Sequence, residues 1–137
     1  MAYEDELAKV WMFSRLERDD LKRIGKCVVL RKYKKGDAIV TEGDRGVAFY
    51  MVISGNVSMT KEGKSLGEFG AGGSFGEMSL LDGYPRSATL TAMDDTECLV
   101  MTGWDFTAEL KANPNIGIAM LPELSKRIRR LEGEHIP

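Results

Sequence analysis

Between Cys27 and Met101 the chain is written in short β-branched and aromatic runs separated by glycine: CVVLRKY, AIVTEG, AFYMVISG, NVSMTKEG, SLGEFG, SATLTAM and ECLVM. Such side chains suit a pleated, half-buried surface, and the glycines at 36, 43, 46, 55, 63, 67, 70, 72 and 73 read as turn residues. Many short strands at close, even spacing predict a small antiparallel β-barrel or jelly roll.

Both flanks are helical in texture. Residues 3 to 26 place Leu7, Val10 and Trp11, then Leu16, Leu21 and Ile24, at helical spacing, and Asp19-Asp20 supply acidic residues for a second helix start. After Met101, Phe106 and Leu110 share a helix face, Asn113-Pro114-Asn115 interrupts, and Ile116 to Leu131 resumes with Ile118, Met120, Leu121, Leu124, Ile128 and Leu131. Pro122 inside that stretch removes a backbone donor, so two helices meeting at Pro122 are expected, the proline lying in the first turn of the second. Trp11, Trp104 and the methionines are expected in the core. The fold class is therefore mainly β with flanking helices: N-terminal helices over 1–26, the barrel over 27–101 and two C-terminal helices within 102–137. The 137 residues suit a single domain with one core.

Charge and rare residues then exclude whole classes of function. Lys+Arg number 19 against 21 Asp+Glu, a formal charge of −2, so there is no global basic field for nucleic acid. The run Lys126-Arg127-Ile128-Arg129-Arg130 reads as the solvated face of a helix. The single histidine, His135, is third from the C-terminus; it cannot build a His-clustered metal site, and Ser/His or Cys/His catalysis is not expected. Cys27 and Cys98 stand far apart with no CxxC and are expected as reduced core thiols. The acidic start MAYEDELAKVWMF is unlike a secretory signal, and no apolar stretch reaches membrane-spanning length. A cytoplasmic, non-enzymatic protein is expected, with no catalytic residues, metal, cofactor or membrane partner.

What remains is a binding function, and Phe75 to Leu90, FGEMSLLDGYPRSATL, is where it concentrates. Gly76 opens a short amphipathic turn whose backbone N–H groups suit a phosphate, and Arg86, between Pro85 and the small pair Ser87-Ala88, is a cation to pair with it. Glu77 accepts hydrogen bonds but donates none, which suits a sugar hydroxyl and not a phosphate. Taken singly, Glu77 is a first-turn acid and Arg86 a surface charge. Together in one loop they describe a pocket for an anionic, sugar-bearing ligand.

FGEMSLL followed by PRSATL resembles the phosphate-binding cassette of cyclic nucleotide-binding domains, found in catabolite-activator-type regulators, regulatory subunits of cyclic-AMP-dependent kinase and cyclic-nucleotide-gated channels. A second segment, Ile39-Val40-Thr41-Glu42-Gly43-Asp44-Arg45-Gly46 with Phe49-Tyr50-Met51-Val52 and Gly55, is similar to the family's other signature. The resemblance implies that Arg86 pairs with the cyclic phosphate, that Glu77 accepts from the ribose 2′-OH, and that Gly76 and Ala88 offer backbone contacts. It implies that Ser87 sets its hydroxyl beside phosphate and base, and it puts Met78 in the same ligand-binding set. By register, Met59 and Leu66 would wall the purine, and Arg127 or Arg130 would reach it when the C-terminal helix closes.

The implied ligand is cyclic AMP or cyclic GMP, with cyclic AMP favoured slightly because Ser87 stands where members preferring cyclic GMP often carry threonine. Occupancy would be transmitted by movement of the helix from Pro122 to about Leu131, hinged at Pro122 and packed on Leu80 and Leu81, to a downstream protein. Two alternatives stay open. One is a non-catalytic interaction module with a vestigial pocket, although such a module would be expected to have lost Glu77 or Arg86. The other is the sensor domain of a longer transcription regulator, kinase or channel. No nucleic-acid contact is expected from these residues.

Overall fold

The structure, a computed structural model, describes residues 3–44, 48–83 and 87–133. Arg45, Gly46, Arg86 and His135 lie outside the described residues. The chain packs as two compact units, a β unit of residues 27–106 and a helical unit of 1–26 with 107–137. These divisions fall close to the texture changes in the sequence.

The β unit contains β1 (Val28–Tyr33), β2 (Ala38–Val40), β3 (Ala48–Ser54), β4 (Asn56–Lys61), β5 (Lys64–Gly70), β6 (Ser74–Phe75), β7 (Thr89–Ala92) and β8 (Thr96–Thr102). They form two four-stranded antiparallel sheets, β1-β8-β3-β6 and β2-β7-β4-β5. Each sheet keeps its edge strands, so the architecture is a double-sheet jelly roll, not a closed barrel. All seven sequence runs became strands. β6 was not expected: two residues carry no periodicity, and only the pairings Tyr50↔Phe75 and Met51↔Ser74 define it.

The core of this unit draws on both sheets. Val52, Cys98 and Val100 come from one sheet and Ile39, Val40, Val57, Leu90 and Ala92 from the other. Register explains the first set: Val52 pairs with Cys98 and Tyr50 with Val100, so alternation puts them on one face. The intervening pairs Phe49↔Met101 and Met51↔Leu99 point the other way and are buried too. Double burial is why β3 and β8 read as continuous apolar runs instead of alternating ones. Each such side chain contributes about 1.5–3 kcal/mol by leaving water. Both cysteines are free thiols, and burial pushes that of Cys98 up to about 11, which leaves it unreactive near neutral pH.

One end of the sandwich is pinned by a side-chain cluster. The Asn56 N–H donates to Asp94 Oδ1 at 2.9 Å, its Nδ2 donates to Asp94 Oδ2 at 2.9 Å, and Thr96 Oγ1 donates to the Asp94 carbonyl at 2.9 Å. The turn from β3 to β4 is thereby fixed to the turn from β7 to β8, and both turns pass between the sheets. Donation from Asn56, side chain first and then backbone, holds the Asp94 carboxyl below its ordinary range.

The helices are α1 (Glu4–Leu7), α2 (Arg18–Gly25), α3 (Glu77–Asp82), α4 (Gly103–Ala112) and α5 (Asn115–Leu131), with a 3₁₀ turn at Trp11–Phe13. Within the helical unit α1 packs on α2 and α5 on the 3₁₀ turn. Two expectations are corrected. First, α5 runs unbroken through Pro122 instead of dividing there. Contacts hold it on both sides of the proline: Ile116 and Met120 are buried before it, and after it Glu123 accepts from Arg15 Nε at 2.7 Å and the Arg127 guanidinium lies 4.7 Å from the Trp11 ring centre. The carbonyl that Pro122 leaves without a helical donor belongs to Ile118, on the exposed side, where water can serve. Second, Trp104 is 86% exposed and not in the core. Phe106, two positions on and so on the opposite side of α4, takes the buried place at 1%. Among the described residues no helix is long and apolar enough to cross a membrane.

Candidate ligand-binding site

The segment entering the site is held by aromatic packing. Phe75 stacks on Tyr50 with ring centres 4.9 Å apart and planes 9° apart, and meets Phe69 edge-on at 5.4 Å and 65°. The chain must then turn sharply from β6 into α3, and it does so at Gly76, with φ 84° and ψ 8°. That left-handed conformation costs a residue with a Cβ about 1–2 kcal/mol, so glycine is what the turn demands. At the other end the Gly83 N–H donates to the Ser79 carbonyl at 3.0 Å, closing α3 after six residues. Leu80 is buried and α3 packs on β3, which fixes the first turn of the helix.

Beside that turn is a cavity of about 250 Å³. Gly76, Glu77, Met78 and Ser79 line one side of it, and Ser87 and Ala88 another. Val40, Met59 and Leu90 supply its apolar floor, with Phe75 adjoining. The floor follows from register: Leu90 pairs with Val40 across one strand boundary and with Met59 across the other, so three neighbouring strands present one face. Glu77 is half-buried with Oε2 shielded from solvent, and it is the one ionisable side chain in the described lining. An acceptor and two hydroxyls above an apolar floor suit a ligand with a polar, hydroxyl-bearing part and a flat apolar part.

Six of the sequence candidates, Gly76, Glu77, Met78, Ser87, Ala88 and Met59, therefore come together. Val40, Phe75, Ser79 and Leu90 were not singled out. Leu66 does not line this cavity and is 55% exposed. The β4–β5 register steps from Met59↔Gly67 to Thr60↔Ser65, leaving Leu66 as the extra residue of a bulge. Gly67 inside the run was the available signal. Arg127 belongs to the helical unit, where it lies over Trp11, and Arg130 is exposed in the last turn of α5. Among the described residues no three His, Cys, Asp or Glu side chains group as a metal site.

The sequence model of the family described as "Cyclic nucleotide-binding domain" matches residues 30–113, which include both signatures and every residue lining the cavity. The chain belongs to the cyclic nucleotide-binding domain family. Its similarity to a cAMP-dependent protein kinase regulatory subunit of Mycosarcoma maydis is 36% identity over 107 residues, covering 73% of this chain and 20% of that protein. Similarity to the cyclic AMP receptor protein of Thermus thermophilus is 36% over 109 residues, covering 76% of this chain and 50% of that one. The chain thus spans a fifth to a half of these curated relatives. The N-terminal domain of a transcriptional regulator from Streptomyces coelicolor A3(2) superposes with a TM-score of 0.85 at 27% identity, over 93% of this chain and 94% of that one. In this cyclic nucleotide-binding domain, the cassette is the stretch that supplies two sides of the cavity.

Proposed function

We propose that this domain is a non-catalytic sensor that binds a 3′,5′-cyclic nucleotide in the cassette cavity, cyclic AMP in preference to cyclic GMP, and signals occupancy through movement of α5. The observation that carries this reading is the convergence of Gly76, Glu77, Met78, Ser87 and Ala88 above an apolar floor. Glu77 takes the ribose 2′-OH, Ser87 the edge shared by phosphate and base, and Met59 and Leu90 the purine. Arg86, immediately before Ser87 in the chain, supplies the cation for the phosphate. Relatives whose names carry cyclic AMP support the choice of base. The continuity of α5 through Pro122 favours displacement of the helix as a whole over bending at the proline. The displacement cannot exceed what the ligand's differential affinity for the two states provides.

A thermal-shift comparison tests the proposal. A ligand at a hundred times its dissociation constant stabilises by about 2.7 kcal/mol, roughly a 10 °C rise in Tm for a chain of this size. Cyclic AMP is expected to give that rise and cyclic GMP at equal concentration a smaller one. A larger rise with cyclic GMP reverses the base preference, and no rise with either overturns the reading.

A further inference from the structure

The cavity is built from segments distant in sequence, and one residue, through its backbone and its side chain, ties the start of β7 to the tip of the β4–β5 hairpin. The Glu42 N–H donates to Thr89 Oγ1 at 3.0 Å, and Glu42 Oε1 accepts from the Glu62 N–H at 2.9 Å. Thr89 directly follows Ser87-Ala88 and begins β7, whereas Glu62 sits at the tip of the β4–β5 hairpin that carries Met59. Glu62 is the one residue other than glycine with a positive φ among the described residues, at 51°, and Gly63 follows at 79°. Two successive left-handed residues make the tight two-residue turn that suits a hairpin's twist, and it is strained at a residue with a Cβ. A side-chain oxygen accepting from the N–H of that residue holds the turn in place.

We propose that Glu42 is a positioning residue for the ligand, a strut bracing the tip of the hairpin bearing Met59 against the start of β7, just beyond the Thr60↔Thr89 pair that ends the β4–β7 ladder beside the Ser87-Ala88 rim. This rests on the cassette cavity being the nucleotide site. Glu42 does not line the cavity, so its effect on affinity passes through Thr89 and Glu62. Without the strut the hairpin tip loses its anchor, and the Thr60↔Thr89 end of the ladder, which backs the Ser87-Ala88 rim and adjoins Met59, frays more readily. The cost falls on binding because the ligand must restore an order that Glu42 otherwise maintains.

Calorimetry with cyclic AMP on wild type, Glu42→Gln and Glu42→Ala, well below the melting temperature of each, provides the test. Glutamine keeps a side-chain carbonyl for the Glu62 N–H and is expected to bind within about twofold of wild type, whereas alanine should bind about tenfold more weakly, a difference of roughly 1.4 kcal/mol. Exchange of the Glu62 amide hydrogen should quicken in the alanine variant and return towards wild type in the glutamine variant. A merely structural role would lower Tm and leave this affinity unchanged. If wild type and Glu42→Ala bind equally, the strut is wrong and the nucleotide site stands; if glutamine fails to rescue, the hydrogen bond is not the cause and the strut is again wrong. If wild type binds no cyclic nucleotide, the functional reading falls and the strut with it.

Discussion

Arg86→Ala is expected to weaken cyclic AMP binding by about 2–5 kcal/mol, roughly 30-fold to several-thousand-fold. The described lining of the cavity contains one ionisable group, Glu77, and a carboxyl supplies no positive charge. A phosphate placed there needs a cation, and Arg86 is next in sequence to Ser87 and Ala88, which line the cavity. Removing that cation leaves the phosphate desolvated without compensation, which is why the loss should exceed that of an ordinary contact. Glu77→Ala should cost less, about 1.5–3 kcal/mol, the contribution of one hydrogen bond to a charged acceptor. Titration calorimetry on the two variants checks both the magnitudes and their order. Undiminished binding in the arginine variant would remove Arg86 from the site.

Gly55→Ala is the substitution expected to harm the fold most. Gly55 has a φ of +94°, and an added Cβ would lie 2.5 Å from Thr96 Oγ1, 2.6 Å from the Asp95 carbonyl oxygen and 2.7 Å from Thr96 Cα. Two of those three atoms are backbone, so the clash cannot be relieved by rotating a side chain. The same turn carries the Asn56–Asp94–Thr96 cluster, whose hydrogen bonds would have to yield. Backbone strain and overpacking together predict a loss of about 2–5 kcal/mol, or roughly 10 °C or more in Tm. Gly25→Ala is the control: it lies in α2, and the nearest atom to its added Cβ is Leu7 Cδ1 at 3.9 Å, so it should be neutral or slightly stabilising. Denaturant midpoints for the two variants would show the contrast, and similar values would contradict it.

The strands were legible because β3 and β8 are buried on both faces and so concentrate β-branched and aromatic residues. The cassette was legible for another reason: Gly76 and Gly83 bracket a six-residue helix, and each occupies a conformation that glycine favours. The floor of the cavity was not legible. Val40 and Leu90 become neighbours of Met59 only through pairing register, which one sequence does not encode locally. Leu66 falls at the bulge opposite Met59 and Thr60, where alternation no longer fixes the face. Pro122 carried a local signal for a break, and packing on either side of it overrode that signal. Trp104 shows the converse, since hydrophobicity alone did not reveal that Phe106 would take the buried side of α4.

A cyclic nucleotide held in the cassette cavity must alter the surroundings of the amides that line it. Titration of the isotope-labelled protein with cyclic AMP, followed by amide chemical shifts, reads this residue by residue. Large changes are expected at Gly76, Glu77, Ser79, Ser87 and Ala88, saturating together at one nucleotide per chain. Unchanged spectra, or changes confined to strands remote from the cassette such as β1, would contradict it.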